Sequence, residues 1–261
     1  MEENLRLALI QSDLIWENKE ANLINFSKLI DEVGQQADVI ILPEMFSTGF
    51  SMNAIDLAEP LNSPTLDFLK TKAFSSNACI TGSFITKEEG KYFNRLYWVF
   101  PDGHFDYYDK RHLFRFGKED EAYNAGNKRI VVEWKGWKIC PLVCYDLRFP
   151  VWIRNTNVDP YDLLIFVANW PSARTHVWDT LLKARAIENV CFVAGVNRIG
   201  EDGNHLSYDG HSQVLDTKGY LLNELSKESK AVYVTLEKSW LTDFRKKFNT
   251  LLDGDNFEII L

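Results

Sequence analysis

The chain carries, at Ile139–Pro150, the stretch ICPLVCYDLRFP. An apolar run of strand length ends at Cys144, and charged and aromatic residues follow it at once. A thiol at the carboxyl end of a strand, beside the first N–H groups of a new turn, can act as a nucleophile while those N–H groups hold an oxyanion. Free cysteine is also one of the most buried residue types, so Cys144 taken alone fits a small core residue equally well.

A second informative segment is VIILPEMF at residues 39–46. A buried type of strand runs through Pro43, which lacks an N–H group and suits a strand end, into Glu44. A carboxylate between apolar neighbours is costly unless it is paired or its pKa is raised, and either condition suits a general base. The segment alone also allows Glu44 to reach solvent or to cap a helix.

A third segment, FDYYDKRHLF at residues 105–114, alternates aromatic and charged side chains. The pattern is typical of a half-exposed strand that leads into a loop. Its Lys110 is a candidate partner for a glutamate and a cysteine, although a charge in such a run is more often a solvated surface residue.

Composition limits the class of protein. The 261 residues are 46% apolar and 25% charged, as in an ordinary globular protein. Because no linker, low-complexity tract or repeat interrupts them, we expect one domain spanning residues 1–261. A net charge of −8 without a basic stripe argues against nucleic-acid binding. No apolar run approaches the ~18 residues that a membrane-spanning helix needs.

The four cysteines all lie in apolar contexts, as expected of reduced thiols in a cytoplasmic protein. Cys140 and Cys144 lack the spacing and the second ligand pair of a zinc site, and the five histidines show no metal-binding spacing. We therefore expect neither a metal nor another cofactor.

Apolar runs of strand length alternate with longer helix-like segments, which predicts layered α/β architecture. Strands are predicted at residues 5–10, 38–43, 78–85, 95–100, 130–133, 137–143, 162–168, 190–196, 212–215 and 231–235. Helices are predicted at residues 18–34, 64–74, 150–156 and 174–189.

In this order, Glu44, Lys110 and Cys144 resemble the catalytic Glu–Lys–Cys triad of the nitrilase superfamily of carbon–nitrogen hydrolases. The resemblance covers essentially the whole chain and includes LALIQ at residues 7–11 and ANWP at residues 168–171. It implies that family's fold, a four-layer α-β-β-α sandwich in which two sheets pack face to face between outer helices. It also implies that the three residues are catalytic.

The family has a second glutamate, seven residues before a glycine, that contacts the catalytic lysine. Gly126 matches that glycine, and the spacing therefore points to Glu119 as a fourth catalytic residue. Asp120 and Glu121 adjoin it, so a solvated acidic loop fits this part of the sequence equally well.

After the cysteine the chain has Tyr145-Asp146, where true nitrilases usually have Trp-Glu. Together with LPEMF at residues 42–46 and KRHLF at residues 110–114, this resembles the bacterial omega-amidases. The resemblance implies an amidase that converts 2-oxoglutaramate or 2-oxosuccinamate to the 2-oxo dicarboxylate and ammonia through a cysteine thioester. The alternatives are another amide or N-carbamoyl hydrolase of this fold, and a non-catalytic binding module, against which the intact triad argues.

The expected chemistry needs each of these groups. Glu44 takes the thiol proton, and the positive charge of Lys110 is expected to keep Cys144 partly ionised. The N–H group of Tyr145, together with the Lys110 ammonium, is expected to hold the oxyanion.

A 2-oxo acid also carries a carboxylate, which a cation in the pocket must meet. The candidates are Arg148 after the cysteine and Arg174 further along, with His176 beside it, although structural ion pairs would also explain the arginines. Aromatic candidates for the pocket wall, for which core packing is the alternative, are Phe46, Phe50 and Trp170.

The family resemblance also implies that the chain forms an oligomer. Family members pair through the helix face near the cysteine and through the C-terminal tail. We therefore expect a homodimer or a higher homo-oligomer that binds a small amide as its substrate.

Overall fold

The computed structural model describes residues 4–260; residues 1–3 and 261, at the ends of the predicted domain, lie outside the described residues. None of the helices within residues 4–260 is both long enough and apolar enough to cross a membrane. The strands are β1 (Leu5–Gln11), β2 (Val39–Ile41), β3 (Cys79–Glu88), β4 (Lys91–Val99), β5 (Phe105–Asp109), β6 (Val132–Trp134), β7 (Trp137–Val143), β8 (Leu163–Ala168), β9 (Phe192–Asn197), β10 (Ile199–Glu201), β11 (Ser207–Asp209), β12 (Gln213–Leu215) and β13 (Lys230–Leu236). The α-helices are α1 (Lys19–Val33), α2 (Ala54–Leu57), α3 (Pro64–Ser76), α4 (Glu119–Ala122), α5 (Pro150–Ile153), α6 (Thr175–Asn189) and α7 (Lys238–Lys247).

Two sheets form the centre of the molecule. The first has the strand order β13-β1-β2-β3-β4-β5, and the second has the order β12-β9-β8-β7-β6. In the first sheet β1, β2 and β3 are parallel, and in the second β7, β8 and β9 are parallel. The strands at the sheet edges pair antiparallel with their neighbours.

Strand β1 illustrates how the layers are built. Its alternate residues Leu7 and Leu9 belong to the core between the two sheets, whereas Ala8 and Ile10 pack with residues of α1 and α3. The outer face of the second sheet packs against α6. Because successive strand residues point to opposite faces, one apolar strand contributes both to the core between the sheets and to the core between a sheet and its outer helices. The four-layer α-β-β-α sandwich is confirmed.

The strand ends decide where chemistry can occur. Glu44 lies three residues beyond the end of β2, and Lys110, Cys144 and Asn169 directly follow β5, β7 and β8. The two sheets bring these ends together at one edge of the sandwich. Glu44 bonds Lys110 Nζ and the backbone N–H group of Asn169 there, and the Cys144 thiol faces the backbone oxygen of Asn169.

Each of the ten predicted strands corresponds to an observed strand, and the half-exposed strand expected in residues 105–114 is β5. The helix predicted at residues 150–156 is shorter, because it ends at Ile153. There Asn155 accepts hydrogen bonds from the N–H groups of Thr156 and Tyr161, so its side chain organises a loop in place of another helical turn.

Several observed elements were not predicted: the short helices α2 and α4, the β10–β11 hairpin and helix α7. The β10–β11 hairpin has strands of only three residues, too short to leave a periodic pattern. Helix α7 ends in the basic residues Arg245, Lys246 and Lys247, and its position depends on residues that are distant in the sequence. Leu241 is buried in the core, and the Arg245 guanidinium binds a carboxylate oxygen of Asp162 at 2.9 Å.

We expect Leu182→Ala to lower the free energy of unfolding by about 2–5 kcal/mol. Leu182 is fully buried where α6 packs on the second sheet, so the truncation leaves a cavity. Ile187→Ala, on the same helix at a side chain that is 49% exposed, is the control and should cost much less. Urea denaturation of both variants measures the difference, and equal losses would contradict the described packing of α6.

Candidate active site

The backbone turns sharply at Cys144. Strand β7 ends at Val143, and a 3-10 turn runs from Cys144 to Arg148. Cys144 has a φ angle of 42°, a left-handed conformation that costs energy for a residue with a side chain. Its thiol faces the backbone oxygen of Asn169 at 3.9 Å, and the residue is 8% exposed. The strained turn therefore holds the sulfur near the end of the sheet with a narrow opening to the outside.

Asp146 holds this turn in place. Its Oδ2 accepts hydrogen bonds from the Val143 N–H group at 3.1 Å and from the Tyr108 hydroxyl at 2.8 Å. Its Oδ1 accepts one from the His112 N–H group at 3.0 Å. These bonds tie the segment around Cys144 to the segment that carries Lys110, so the two cannot shift independently.

Glu44 is fully buried and neither reaches solvent nor caps a helix. Its Oε1 accepts hydrogen bonds from Lys110 Nζ and from Asn94 Nδ2, both at 2.8 Å. Its Oε2 accepts one from the backbone N–H group of Asn169 at 2.8 Å. These three donors give both oxygens of the buried carboxylate a hydrogen-bond partner.

Glu119 is also fully buried, whereas Asp120 and Glu121 beside it are exposed. Its Oε1 and Oε2 lie 3.0 and 2.9 Å from Lys110 Nζ. Its Oε2 also accepts a hydrogen bond from the Phe114 N–H group at 2.6 Å. The structure therefore brings Glu119 to Lys110, and the solvated acidic loop that the sequence also allowed is not observed at this position.

Gly126 has a steric reason to be glycine. Its N–H group donates to the backbone oxygen of Lys110 at 2.9 Å. A Cβ atom added at this position would lie 2.1 Å from the backbone oxygen of Asp109, which no side chain could tolerate. The glycine lets the chain pack directly against the backbone that presents the lysine.

The charges of this cluster act on one another. Burial by itself would lower the pKa of the Lys110 ammonium, but the charges of Glu119 and Glu44 outweigh it and raise that pKa well above its ordinary value. Burial raises the pKa of Glu119, and the opposing charge of Lys110 only partly offsets this. Lys110 is therefore a permanent cation between two carboxyl groups.

The Cys144 thiol is protonated in the resting site. Burial first, and the negative charge of Glu44 second, raise its pKa well above the ordinary value, and the charge of Lys110 does not outweigh them. The expectation that Lys110 keeps the thiol partly ionised is wrong for this state. The thiol has to lose its proton during the reaction itself.

A pocket of about 480 Å³ opens above Cys144 and Lys110. Neither His176 nor Phe46 lines it: His176 is exposed, and Phe46 packs in the core against Phe26 and Phe84. The predicted substrate-binding residues that do line it are Phe50, Tyr145, Arg148, Trp170 and Arg174.

The two arginines of the pocket are half-buried. Within residues 4–260, no carboxylate lies within 4.0 Å of a guanidinium nitrogen of Arg148 or Arg174, so neither forms the ion pair that was the alternative. Arg148 lies over the ring of Trp170 at 5.0 Å, and Arg174 over that of Phe114 at 5.4 Å. Aromatic faces hold both cations while leaving them open to an anion.

Three residues of the site were not recognised as functional from the sequence. Asn94 donates to Glu44 and to Glu119, and Asn169 contacts both Glu44 and Cys144. Asp146 fixes the turn after the cysteine. A single amide or carboxylate in or just after an apolar strand is a weak signal for such residues. An unpaired polar group inside a protein is costly, so a polar residue at such a position is expected to have a bonding partner.

The chain is similar to known enzymes over nearly its full length. The family model for carbon-nitrogen hydrolase matches residues 6–246. The chain is 45% identical to the omega-amidase YafV of Yersinia enterocolitica, covering 98% of this chain and 99% of that protein. It is 31% identical to the 2-oxoglutaramate amidase of Bacillus subtilis, covering 88% and 90% of the two chains.

A solved structure agrees with this similarity. The crystal structure of a CN-hydrolase superfamily protein from Xanthomonas campestris, which carries an arsenic adduct in its active site, matches with a TM-score of 0.96. The two chains are 48% identical, and the match covers 98% of this chain and 99% of that one. On its sequence, its fold and these relatives, the chain belongs to the carbon–nitrogen hydrolases of the nitrilase superfamily and is a hydrolytic amidase.

Proposed function

We propose that the protein is an omega-amidase that hydrolyses the side-chain amide of small 2-oxo dicarboxylate monoamides, such as 2-oxoglutaramate and 2-oxosuccinamate. The observation that carries this proposal is the pairing of Cys144 and Lys110 at a pocket that also holds Arg148 and Arg174 without carboxylate partners. The relatives that are named omega-amidase and 2-oxoglutaramate amidase support it.

In the proposed reaction Glu44 acts first as a base. It takes the proton of the Cys144 thiol while the sulfur attacks the amide carbon, because the thiol is protonated at rest. A positioned base of this kind contributes about 10²–10⁴ in rate. The oxygen of the amide becomes an oxyanion, which the Tyr145 N–H group and the Lys110 ammonium stabilise. Tyr145 suits this role because N–H groups in the first turn of a helix lack partners within it.

The tetrahedral intermediate then collapses. Protonated Glu44 gives its proton to the amide nitrogen, the carbon–nitrogen bond breaks, and ammonia leaves behind a thioester on Cys144. Glu44, again ionised, takes a proton from a water molecule, which attacks the thioester. Collapse of the second intermediate releases the acid and returns the proton to the sulfur. No cofactor takes part in any of these steps.

Glu119 acts through Lys110. Two contacts from its carboxylate to Lys110 Nζ fix the ammonium, and its bond from the Phe114 N–H group fixes Glu119 in turn. The ammonium is thereby held toward the sulfur without turning to solvent.

The rest of the pocket recognises the substrate. Arg174 and Arg148 meet the distant carboxylate, and Phe50, Trp170 and the ring of Tyr145 enclose the short carbon chain. A neutral amide would leave the cations without an anion, which costs affinity relative to an acid amide.

We also propose that one domain forms the whole catalytic unit, that it assembles as a homodimer or higher homo-oligomer, and that it acts in the cytoplasm. Phe257, Ile259 and Ile260 near the C-terminus are 45%, 41% and 94% exposed, and a second copy of the chain would cover them. The four free, buried cysteines suit a reducing compartment.

We expect Cys144→Ala to abolish ammonia release, because it removes the nucleophile. The melting temperature should change little, because the substitution removes only one sulfur atom, which faces a pocket. Cys140→Ala, at a buried cysteine of the preceding strand β7 that does not line the pocket, is the control and should keep activity. Steady-state ammonia release and a thermal melt of each variant provide the measurement. Continued turnover by Cys144→Ala would refute its role as the nucleophile.

We expect Lys110→Arg to lower kcat by about 10²-fold or more with a smaller change in KM, because the ammonium acts on charge that develops in the transition state. A planar guanidinium does not fit the fully buried space between the two glutamates. Lys118→Arg, at an exposed lysine that lines the same pocket, is the matched control. Near-normal turnover of Lys110→Arg would remove Lys110 from the triad.

We expect 2-oxoglutaramate and succinamate to be hydrolysed with higher kcat/KM than propionamide, an N-carbamoyl amino acid or a simple nitrile. Arg174→Leu and Arg148→Leu should lower kcat/KM for the acid amides by about 10–100-fold, the value of a charge-assisted hydrogen bond, and leave propionamide unaffected. Arg115→Leu, at an exposed arginine outside the pocket, is the control.

Two outcomes of this substrate series would change the proposal. Equal turnover of propionamide and succinamate would refute the carboxylate pocket but leave the triad in place. A best rate with the N-carbamoyl substrate would favour the alternative, an N-carbamoyl hydrolase of the same superfamily.

A further inference from the structure

Asn94 lies in the middle of β4, on the strand that pairs with β5. It is fully buried, and its backbone oxygen accepts a hydrogen bond from the Lys110 N–H group at 3.0 Å. A strand residue at this point needs only an apolar side chain to fill the core. A buried amide at this position is costly unless its hydrogen bonds serve a purpose.

The side-chain amide of Asn94 joins both carboxylates of the site. Its Nδ2 lies 2.8 Å from Glu44 Oε1 and 3.1 Å from Glu119 Oε1, so each of its two hydrogens is donated to a different glutamate. Lys110 Nζ contacts the same two oxygens, at 2.8 and 3.0 Å. An ammonium and a neutral amide thus bridge the same pair of acids.

The other end of the same amide is unsatisfied. Asn94 Oδ1 is buried and has no hydrogen-bond partner among residues 4–260. A buried acceptor without a donor is destabilising, and turning the amide over would put that oxygen against the two carboxylates. The orientation is therefore set by the donor side, at a cost to the fold.

We propose that Asn94 is a positioning residue whose amide keeps Glu44 and Glu119 ionised side by side and directs Glu44 toward the thiol. This inference rests on the proposed function, in which Glu44 is the base. Two carboxylates against one ammonium leave an excess negative charge in a buried space, and the pair would otherwise bind a proton. Donors to the ionised form oppose that uptake without adding a charge.

The surroundings of the carboxyl pair limit what else can titrate there. Lys110 faces it from the end of β5, Cys144 from the turn after β7, and Tyr123 from the segment after α4. Lys110 stays charged, and the phenol of Tyr123 stays neutral because burial raises its pKa beyond the working range. Because Asn94 Nδ2 bonds Glu44 and Glu119, a low-pH change that depends on Asn94 reports on these two carboxyl groups.

The test is the pH dependence of two rates in the full-length protein, using Asn94→Leu, which is similar in size but has no donor. The first rate is alkylation of Cys144 by iodoacetamide, followed by mass spectrometry, and the second is hydrolysis of 2-oxoglutaramate. Loss of the donors should raise the pKa of the carboxyl pair. We therefore expect the acid limb of both profiles, the fall of the rate at low pH, to shift to higher pH by about one unit or more, and kcat to fall by a larger factor than KM changes.

Asn94→Asp is the second variant, in case the leucine disrupts folding. It keeps the shape of asparagine but puts a third acid beside the pair, so the acid limb should move further upward. Asn155→Leu is the control, because Asn155 is a buried asparagine that bonds Tyr161 and Asn189, away from the site. It should lower the melting temperature and leave both profiles unchanged.

An acid limb that coincides with that of the native chain in both Asn94 variants would overturn the proposal, as would an equal shift in Asn155→Leu. The alkylation profile needs no substrate. If the native chain released no ammonia from any amide, the proposed function would fall, while the role of Asn94 would still be decided by alkylation.

Discussion

A buried ammonium group between two buried carboxylates is the interaction on which the rest of this site depends. Lys110 has no exposed side-chain surface, and neither do Glu44 and Glu119. Removing one partner from such a group leaves an uncompensated charge in the interior, which typically costs about 3–5 kcal/mol. The three side chains therefore have to arrive together, and the backbone around them is built to ensure that they do.

Several local features follow from this requirement. The close approach at Gly126 supports the backbone of Lys110 from one side, and the backbone oxygen of Asn94 holds it from the other. The turn at Cys144 is strained, and Asp146 holds it through bonds to both neighbouring segments. Rigid strand ends position these groups more accurately than loops would, which suits a reaction that tolerates little displacement.

Much of this could be predicted from the sequence because its signals are local. A strand that ends at Cys144 or runs into Glu44 can be seen in a few residues, and the family resemblance supplied the four layers. The functions of Asn94 and Asn169 could not be predicted, because their bonds to Glu44 join residues 50 and 125 positions apart. The protonated state of the thiol also depends on burial, which only the assembled fold determines.

The unequal charges of the site affect how a reaction cycle ends. In the proposed resting state, in which Glu44 and Glu119 are both ionised, these two carboxylates outnumber Lys110 in charge near Cys144, while Arg148 and Arg174 line the pocket beside them. An acid amide is neutral at the end that meets the sulfur, so it can approach the negative cluster. Hydrolysis turns that end into an anion in the same place. Electrostatic repulsion then acts on the product alone, so the chemical step itself drives clearance of the pocket for the next molecule.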